Sequence, residues 1–159
     1  MSIALSFLVA SLTTAADPKP APKAELEKLQ GTWEMVAAET RGKTLDEDAR
    51  KQFERGTPLL KRIVIKKSAL QLCLDNERPD DWLPFEIDFS TQPRMVRWSL
   101  FKSSEPEFYA IYTLDGDTLK VAICLKNAQS KEQTPKDFKT KEGDGNYIYV
   151  FKRAKADPK

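Results

Sequence analysis

Apolar and polar residues alternate along most of the chain after residue 30. The clearest example is Trp82–Ser90, in which every second residue is apolar. Successive side chains of a β-strand point to opposite faces, so this period of two predicts half-buried strands. The pattern predicts eight strands: Gly31–Arg41, Leu59–Lys67, Ala69–Asp75, Trp82–Ser90, Arg94–Phe101, Glu107–Leu114, a seventh that carries Leu119, Val121, Ile123 and Leu125, and Tyr147–Arg153.

The dipeptide Asp115-Gly116 separates the sixth and seventh of these strands. Asp-Gly between two alternating runs favours a two-residue hairpin turn of type I′. With these two residues in the turn, Leu114 pairs with Asp117 and residue 112 with residue 119. This register puts the larger apolar residues of both strands on one face, which we take as the core face.

Two short helices are predicted near the start of the chain. Ala24–Gln30 has two leucines on one side and is followed by Gly31, a residue that often ends helices. Thr44 and Glu47 have the spacing of a capping box, and they begin a helix predicted over Leu45–Arg55.

Strands that follow one another with few long crossovers favour a closed barrel, because closure leaves no exposed sheet edge. The predicted fold is all-β: an eight-stranded up-and-down antiparallel barrel with one short helix between strands 1 and 2.

The composition narrows the functions that such a barrel can have. The chain has 159 residues, enough for one domain with a hydrophobic core, and its 26 basic and 24 acidic residues leave a net charge of only +2. Nucleic-acid binders carry a marked basic excess, so we expect no nucleic-acid partner. The chain has no histidine, which removes the usual general base, the commonest metal ligand and any Ser-His-Asp triad. We therefore predict a protein that is not an enzyme and that uses no cofactor or metal.

The N-terminal segment predicts export. Residues 1–16 have no charged side chain and include the apolar run Ile3–Leu12, which small residues separate from Asp17. These features are typical of a secretory signal peptide. A buried helix or a membrane anchor is the alternative, although about 20 apolar residues are needed to span a bilayer. We expect a proline-rich linker over 17–23, the barrel over 24–153 and a tail over 154–159. The mature protein is then secreted or periplasmic, monomeric and without stable membrane insertion.

The two cysteines are predicted to be free thiols. An even number of cysteines in an exported protein invites a disulfide, but Cys73 falls on the third predicted strand and Cys124 on the seventh. These strands are not neighbours in an up-and-down barrel, whereas a disulfide needs Cα atoms within about 7 Å. Acidic clusters at 46–48, 75–81 and 115–117 could bind a cation. A helix N-terminus, a polar loop and a turn explain them better, as solvated surface.

An N-terminal helical turn, Gly-x-Trp at the start of the first of eight strands, and an arginine at the end of the last strand together resemble the lipocalin-type (calycin) pattern. The matching positions are Gly31, Trp33 and Arg153. The resemblance implies that the tryptophan closes the barrel floor and that the arginine stacks on it, in a cation–π contact.

Four segments in order are also similar to an uncharacterised lipocalin-like domain family abundant in planctomycete bacteria: LQGTWEMVAAETRGK, FEIDFSTQPRMV, IYTLDGDTLKVAICL and YVFKR. The match covers roughly Glu25–Arg153 and implies a fold but no activity. That family tends to have an Arg-Pro pair before an aspartate and a phenylalanine. Residues 133–138 keep the proline, aspartate and phenylalanine but have no arginine, so no role of that arginine transfers to this chain.

Bulky residues on the inward faces of the strands are candidates for lining a ligand cavity: Phe85, Phe89, Trp98, Phe108 and Tyr112. An eight-stranded barrel is just wide enough to be filled by its own side chains or to hold one small apolar ligand. Bulky residues at almost every inward position slightly favour a filled barrel. The leading hypothesis is nevertheless an exported, non-enzymatic domain that binds a small apolar or amphipathic ligand at the barrel mouth. The alternative is a cell-envelope module with a filled barrel that contacts another protein through its loops.

Overall fold

The computed structural model describes residues 22–45, 60–74, 81–99, 107–127 and 129–155. The predicted signal peptide, most of the predicted linker and nearly all of the helix predicted over Leu45–Arg55 lie outside these residues. The described elements are α1 Pro22–Leu29, β1 Gly31–Thr40, β2 Lys43–Thr44, β3 Leu60–Lys66, β4 Ala69–Leu74, β5 Leu83–Asp88, β6 Arg94–Ser99, β7 Glu107–Asp115, β8 Thr118–Cys124 and β9 Asn146–Arg153, with short 3-10 turns at Leu125–Asn127 and Lys131–Gln133.

Eight of the strands form a closed antiparallel barrel. Each strand from β4 to β9 pairs with the strand before it, β3 pairs with β1, and β9 pairs back with β1 to close the ring. The two-residue strand β2 pairs with the end of β1 and lies outside the ring. The predicted eight-stranded up-and-down barrel is confirmed. The strands lie where the alternation predicts them; β3, for example, covers all but the two end residues of the predicted range.

The first strand departs from the predicted alternation. Trp33 and Met35 are buried, but a β-bulge follows between Met35 and Ala37. The extra residue of a bulge shifts the alternation by one position. As a result Ala38 is buried in the core in place of Ala37, which strict alternation from Trp33 and Met35 would bury. Val36, at the bulge, is 51% exposed.

The helix α1 begins at Pro22, two residues before its predicted start. Proline suits the first helical position, because its fixed φ matches the helix and its missing N–H has no helical acceptor there. Pro22 and Lys23 therefore belong to the helix rather than to the linker. Leu26 and Leu29 of α1 pack against the barrel core.

The hairpin between β7 and β8 turns at Gly116 and Asp117, because Asp115 pairs with Thr118. The predicted register, which put Asp115 in the turn, is wrong by two residues. Of the two turn residues only Gly116 has a positive φ, +54°, which fits a type II′ turn rather than the predicted type I′. A shift of two residues keeps every side chain on its predicted face. The buried residues of this face, such as Tyr112, are indeed in the core.

A second, smaller apolar cluster lies on the outer face of the barrel. Ile111, Ala122 and Ile148 are buried there, and Phe138 packs against them. Phe138 belongs to the polar segment between β8 and β9, and the Lys120 Nζ lies 5.2 Å from the centroid of its ring. Phe138, which the family resemblance singles out together with Pro135 and Asp137, thus supplies an aromatic cover for the outside of β7, β8 and β9.

Candidate functional site

Trp33 closes the end of the barrel next to α1. Its side chain is fully buried, with 0% exposure, and its Nε1 donates a 2.8 Å hydrogen bond to the carbonyl of Leu29. The guanidinium of Arg153 lies over the indole, with Cζ 4.2 Å from the ring centroid. Trp33 and Arg153 are paired residues of β1 and β9, so closure of the ring brings them together. The cation–π contact expected from the resemblance is present.

The two side chains also complete the hydrogen bonding of α1. The last four carbonyls of a helix have no partner within the helix and need hydrogen-bond donors from elsewhere. In α1 all four accept a hydrogen bond, and the positive guanidinium lies at the negative end of the helix dipole. The donors are Gln30 Nε2 to Leu26 (2.8 Å), Gln30 N to Glu27 (3.2 Å), Arg153 Nη2 to Lys28 (2.7 Å) and Trp33 Nε1 to Leu29 (2.8 Å).

Gly31 leaves room for this arrangement. The other nitrogens of Arg153 donate to the Gln30 carbonyl (Nη1, 2.6 Å) and to Asp117 Oδ1 (Nε, 2.8 Å). Gly31 has a φ of +120°, and a Cβ at this position would lie 3.1 Å from the Arg153 Nη1. A side chain here would strain the backbone and crowd the guanidinium. We call Gly31, Trp33 and Arg153 the closed-end cluster.

The barrel interior contains an apolar cavity of about 410 Å³. It extends from Leu29 of α1 to Leu60 and Leu74, which lie at the ends of β3 and β4 that point away from α1. Its walls are Leu, Ile and Val side chains of β3 to β8, together with the rings of Phe85, Trp98, Phe108, Tyr112 and Tyr149.

The cavity shows that the expectation of a filled barrel is wrong. At the closed end the core is solid, because Trp33 and Phe151 are both 0% exposed. Leu72, Val96 and Val121 line the cavity and are only partly buried, although they face inward. Sequence shows how bulky the inward residues are, but not whether their side chains meet across the barrel. Here the inward side chains around the cavity include five aromatic rings, and they still leave space between them.

The structure brings together four of the five residues predicted to line a ligand site. Phe85, Trp98, Phe108 and Tyr112 all line the cavity. Phe89 is not among the lining residues. It follows the last residue of β5, where the strand alternation no longer sets the side-chain direction, and the guanidinium of Arg94 lies 5.8 Å from its ring centroid.

Sequence reasoning missed part of the lining. Tyr149 lines the cavity from β9, on the same face as the buried Phe151, and the two rings lie 6.2 Å apart. Alternation within the short final strand was the available signal. Leu70, Leu72 and Leu74 share one face of β4 and all line the cavity as well. Their alternation predicts the shared face, but it does not distinguish a cavity wall from a packed core.

Tyr112 connects the cavity to a buried ion pair. Its hydroxyl donates a 3.0 Å hydrogen bond to Glu25 Oε1, and the same carboxylate accepts from Arg94 Nε at 3.2 Å. Burial raises the pKa of Tyr112 well above its ordinary value, and the charge of Glu25 raises it further. The phenol is therefore neutral and acts as a hydrogen-bond donor. Burial likewise raises the pKa of Tyr149.

Trp98 stacks on a second ring of the cavity wall. Its ring centroid lies 5.8 Å from that of Phe108, with the planes inclined by 19°. The indole Nε1 of Trp98 is buried and has no hydrogen-bond acceptor among the residues that the structure describes. Trp98 thus presents an aromatic surface to the cavity, whereas Trp33 also uses its indole N–H.

The described residues show no further constellation of reactive groups. Cys73 and Cys124 are free thiols, as predicted. Both are buried, and the Cys124 thiol donates a 3.5 Å hydrogen bond to the Asp144 carbonyl. Within the described ranges, no three His, Cys, Asp or Glu side chains lie close enough to hold a metal ion. The same part of the chain has no helix with the length and apolar character that crossing a membrane requires.

Comparison of the chain with protein-family models, with curated proteins and with solved structures finds no match. The function of this protein is therefore inferred from the geometry of the barrel and from the amino-acid sequence.

Proposed function

We propose that this protein is an exported, non-enzymatic binding protein of the lipocalin-like type, which holds one small apolar ligand inside its barrel. The observation that carries the proposal is the cavity of about 410 Å³ with its wall of aliphatic and aromatic side chains. Small-molecule sites typically have volumes of about 300–1,000 Å³ and are mostly apolar. Burial of a ligand's hydrocarbon surface against such a wall supplies about 25 cal/mol per Å².

The two ends of the barrel have roles that fit this function. The closed-end cluster fixes α1 across one end, so a ligand enters from the side of Leu60 and Leu74. The leading alternative, an interaction module with a filled barrel, requires a packed interior. Among the described residues the large exposed apolar side chains are Val36, Trp82 and Leu125. Leu125 lines the cavity, and single exposed residues such as the other two are normal on protein surfaces.

A fluorescent probe tests the proposal. N-phenyl-1-naphthylamine, which is neutral and aromatic, is titrated into the full chain, and its emission should rise and saturate at one probe per protein. Val121→Phe places a larger side chain in the cavity wall and should weaken the affinity at least about tenfold. Val36→Phe makes the same change at an exposed position and should leave the affinity unchanged.

Two results would overturn the proposal. One is the absence of saturable binding to the folded wild-type chain. The other is an equal loss of affinity in both variants, which would place the probe outside the cavity. Native mass spectrometry of protein isolated from its own source gives an independent measurement, in which a co-purifying apolar molecule is the expected result.

A further inference from the structure

The described wall of the cavity carries no formal charge. Every described residue that lines it is aliphatic or aromatic, and none is Lys, Arg, Asp or Glu. The two tyrosines are neutral, since burial raises the pKa of each hydroxyl. A charged ligand group in the cavity would therefore find no opposite charge on the described wall.

The charged residues behind the wall are already paired with each other. Glu25 and Arg94 bind each other behind Tyr112, and their side chains are only 12% and 11% exposed. Arg94 Nη1 also donates to the carbonyls of Phe89 (2.6 Å) and Thr91 (3.1 Å). Arg94 thus has its charge balanced by Glu25 and its Nη1 directed to the turn after β5, and it is not among the residues that line the cavity. It is not available to bind a ligand carboxylate.

From these two observations we infer that the cavity selects an uncharged ligand: a neutral molecule with a long hydrocarbon or aromatic body, rather than a fatty-acid anion. The inference deepens the proposed binding function and rests on it. Moving an isolated carboxylate from water into apolar surroundings is so unfavourable that such groups usually become protonated instead. A neutral head group of similar size does not carry this cost.

Two ligands with the same chain length but different head groups show how much the head group, rather than the hydrocarbon tail, contributes to the affinity. Dodecan-1-ol and dodecanoate are each used to displace N-phenyl-1-naphthylamine from the full chain at pH 8, with the alcohol below its solubility limit and the anion below the concentration at which it forms micelles. The alcohol should bind at least about tenfold more tightly than the anion. On lowering the pH to 4.5 the affinity for dodecanoic acid should rise because its carboxylate becomes protonated, while that for dodecanol, the control for changes in the protein, should stay within about twofold.

A charge placed in the wall should reverse the preference. Leu60 lines the cavity at the end of β3 and is only partly buried, so a lysine can be tolerated there. Leu60→Lys should bind dodecanoate at least about tenfold more tightly than the wild type does, and dodecanol more weakly. Val36→Lys adds the same charge at an exposed position and should change neither affinity. If Leu60→Lys does not fold, as judged by circular dichroism, the wild-type comparison still decides the question.

The outcomes distinguish this inference from the function on which it rests. Equal affinity of the wild type for the alcohol and the anion means that the carboxylate stays in water at the barrel mouth, and it overturns the selection of uncharged ligands while the binding function stands. Tighter binding of the anion overturns it as well. If neither ligand displaces the probe and the probe itself does not bind, the proposed function fails.

Discussion

The two ends of the barrel interior are built on different principles. At the closed end, Arg153 stacks on Trp33, and these two side chains together with Gln30 donate to all four carbonyls at the end of α1. In the cavity the walls are apolar, several inward side chains are only partly buried, and the indole N–H of Trp98 has no acceptor among the described residues. One end is dense and specific in its polar contacts, and the other is open and nonspecific.

Because of this difference, the residues that stabilise the fold are not the residues of the proposed binding site. A buried polar group stabilises a fold when its partners are in place and destabilises it when they are absent. Concentrating such groups at the closed end lets the strands around the cavity leave space without removing the contacts that hold the ring together. The consequence can be measured. Substitutions at the closed end should reduce stability strongly, whereas substitutions in the cavity wall should change ligand affinity more than stability.

The largest expected effect is that of Trp33→Ala. Removing a fully buried tryptophan leaves a cavity, removes the indole on which Arg153 stacks and leaves the Leu29 carbonyl without a donor. The free energy of unfolding should therefore fall by about 3–5 kcal/mol. Urea denaturation followed by far-UV circular dichroism measures the change. Trp82→Ala removes the same side chain from a position that is 46% exposed, and it should cost no more than about 1 kcal/mol. Similar losses in the two variants would contradict the closing role of Trp33.

Arg153→Ala should have the next largest effect. The substitution removes a cation–π contact and donors to Lys28, Gln30 and Asp117, and we expect a loss of about 2–4 kcal/mol. Arg153→Lys keeps the charge but cannot serve three acceptors in one plane, so it should restore only part of the stability. The same urea titrations measure both variants.

Arg97 provides the matched control for this prediction. It also forms ion pairs, with Glu86 at 2.6 Å and Glu107 at 2.7 Å, but its side chain is 45% exposed. Exposed ion pairs contribute about 0–1 kcal/mol, so Arg97→Ala should be nearly neutral. An Arg97→Ala variant as unstable as Arg153→Ala would show that the number of ion pairs, and not the stack at the closed end, determines the loss.

The sequence was sufficient to predict the barrel and its closed end. Alternation located the strands, and the Gly-x-Trp motif with an arginine in the last strand identified the residues that meet when the ring closes. The contact between Trp33 and Arg153 was implied by the resemblance to the lipocalin-type pattern, whereas alternation is a local rule, because successive side chains of a strand point to opposite faces. The face of each residue in β7 and β8 was predictable for the same reason.

The features that could not be predicted depend on geometry between elements. The bulge at Val36 and the II′ turn at Gly116 are changes of one or two residues in register, and alternating sequences tolerate them without a clear local signal. The direction of Phe89 depends on where β5 ends. The cavity depends on whether side chains from opposite strands meet, which is a property of the closed ring as a whole. The proposed binding site was therefore less predictable than the closed end.

The smallest expected effects compare two buried aromatic residues of the cavity wall. Tyr112→Phe removes a hydroxyl that donates to Glu25, so the buried carboxylate loses a donor and the free energy of unfolding should fall by about 1–2 kcal/mol. Trp98→Phe keeps an aromatic ring against Phe108 but removes an N–H without a described acceptor, so the lost packing and the relieved polar group should nearly cancel, to within about 0.5 kcal/mol. The urea midpoints of the two variants, measured under the same conditions, test this prediction. A loss for Trp98→Phe as large as that for Tyr112→Phe would mean that the Trp98 N–H has a partner in solution, and that the polar saturation of the closed end extends into the cavity wall.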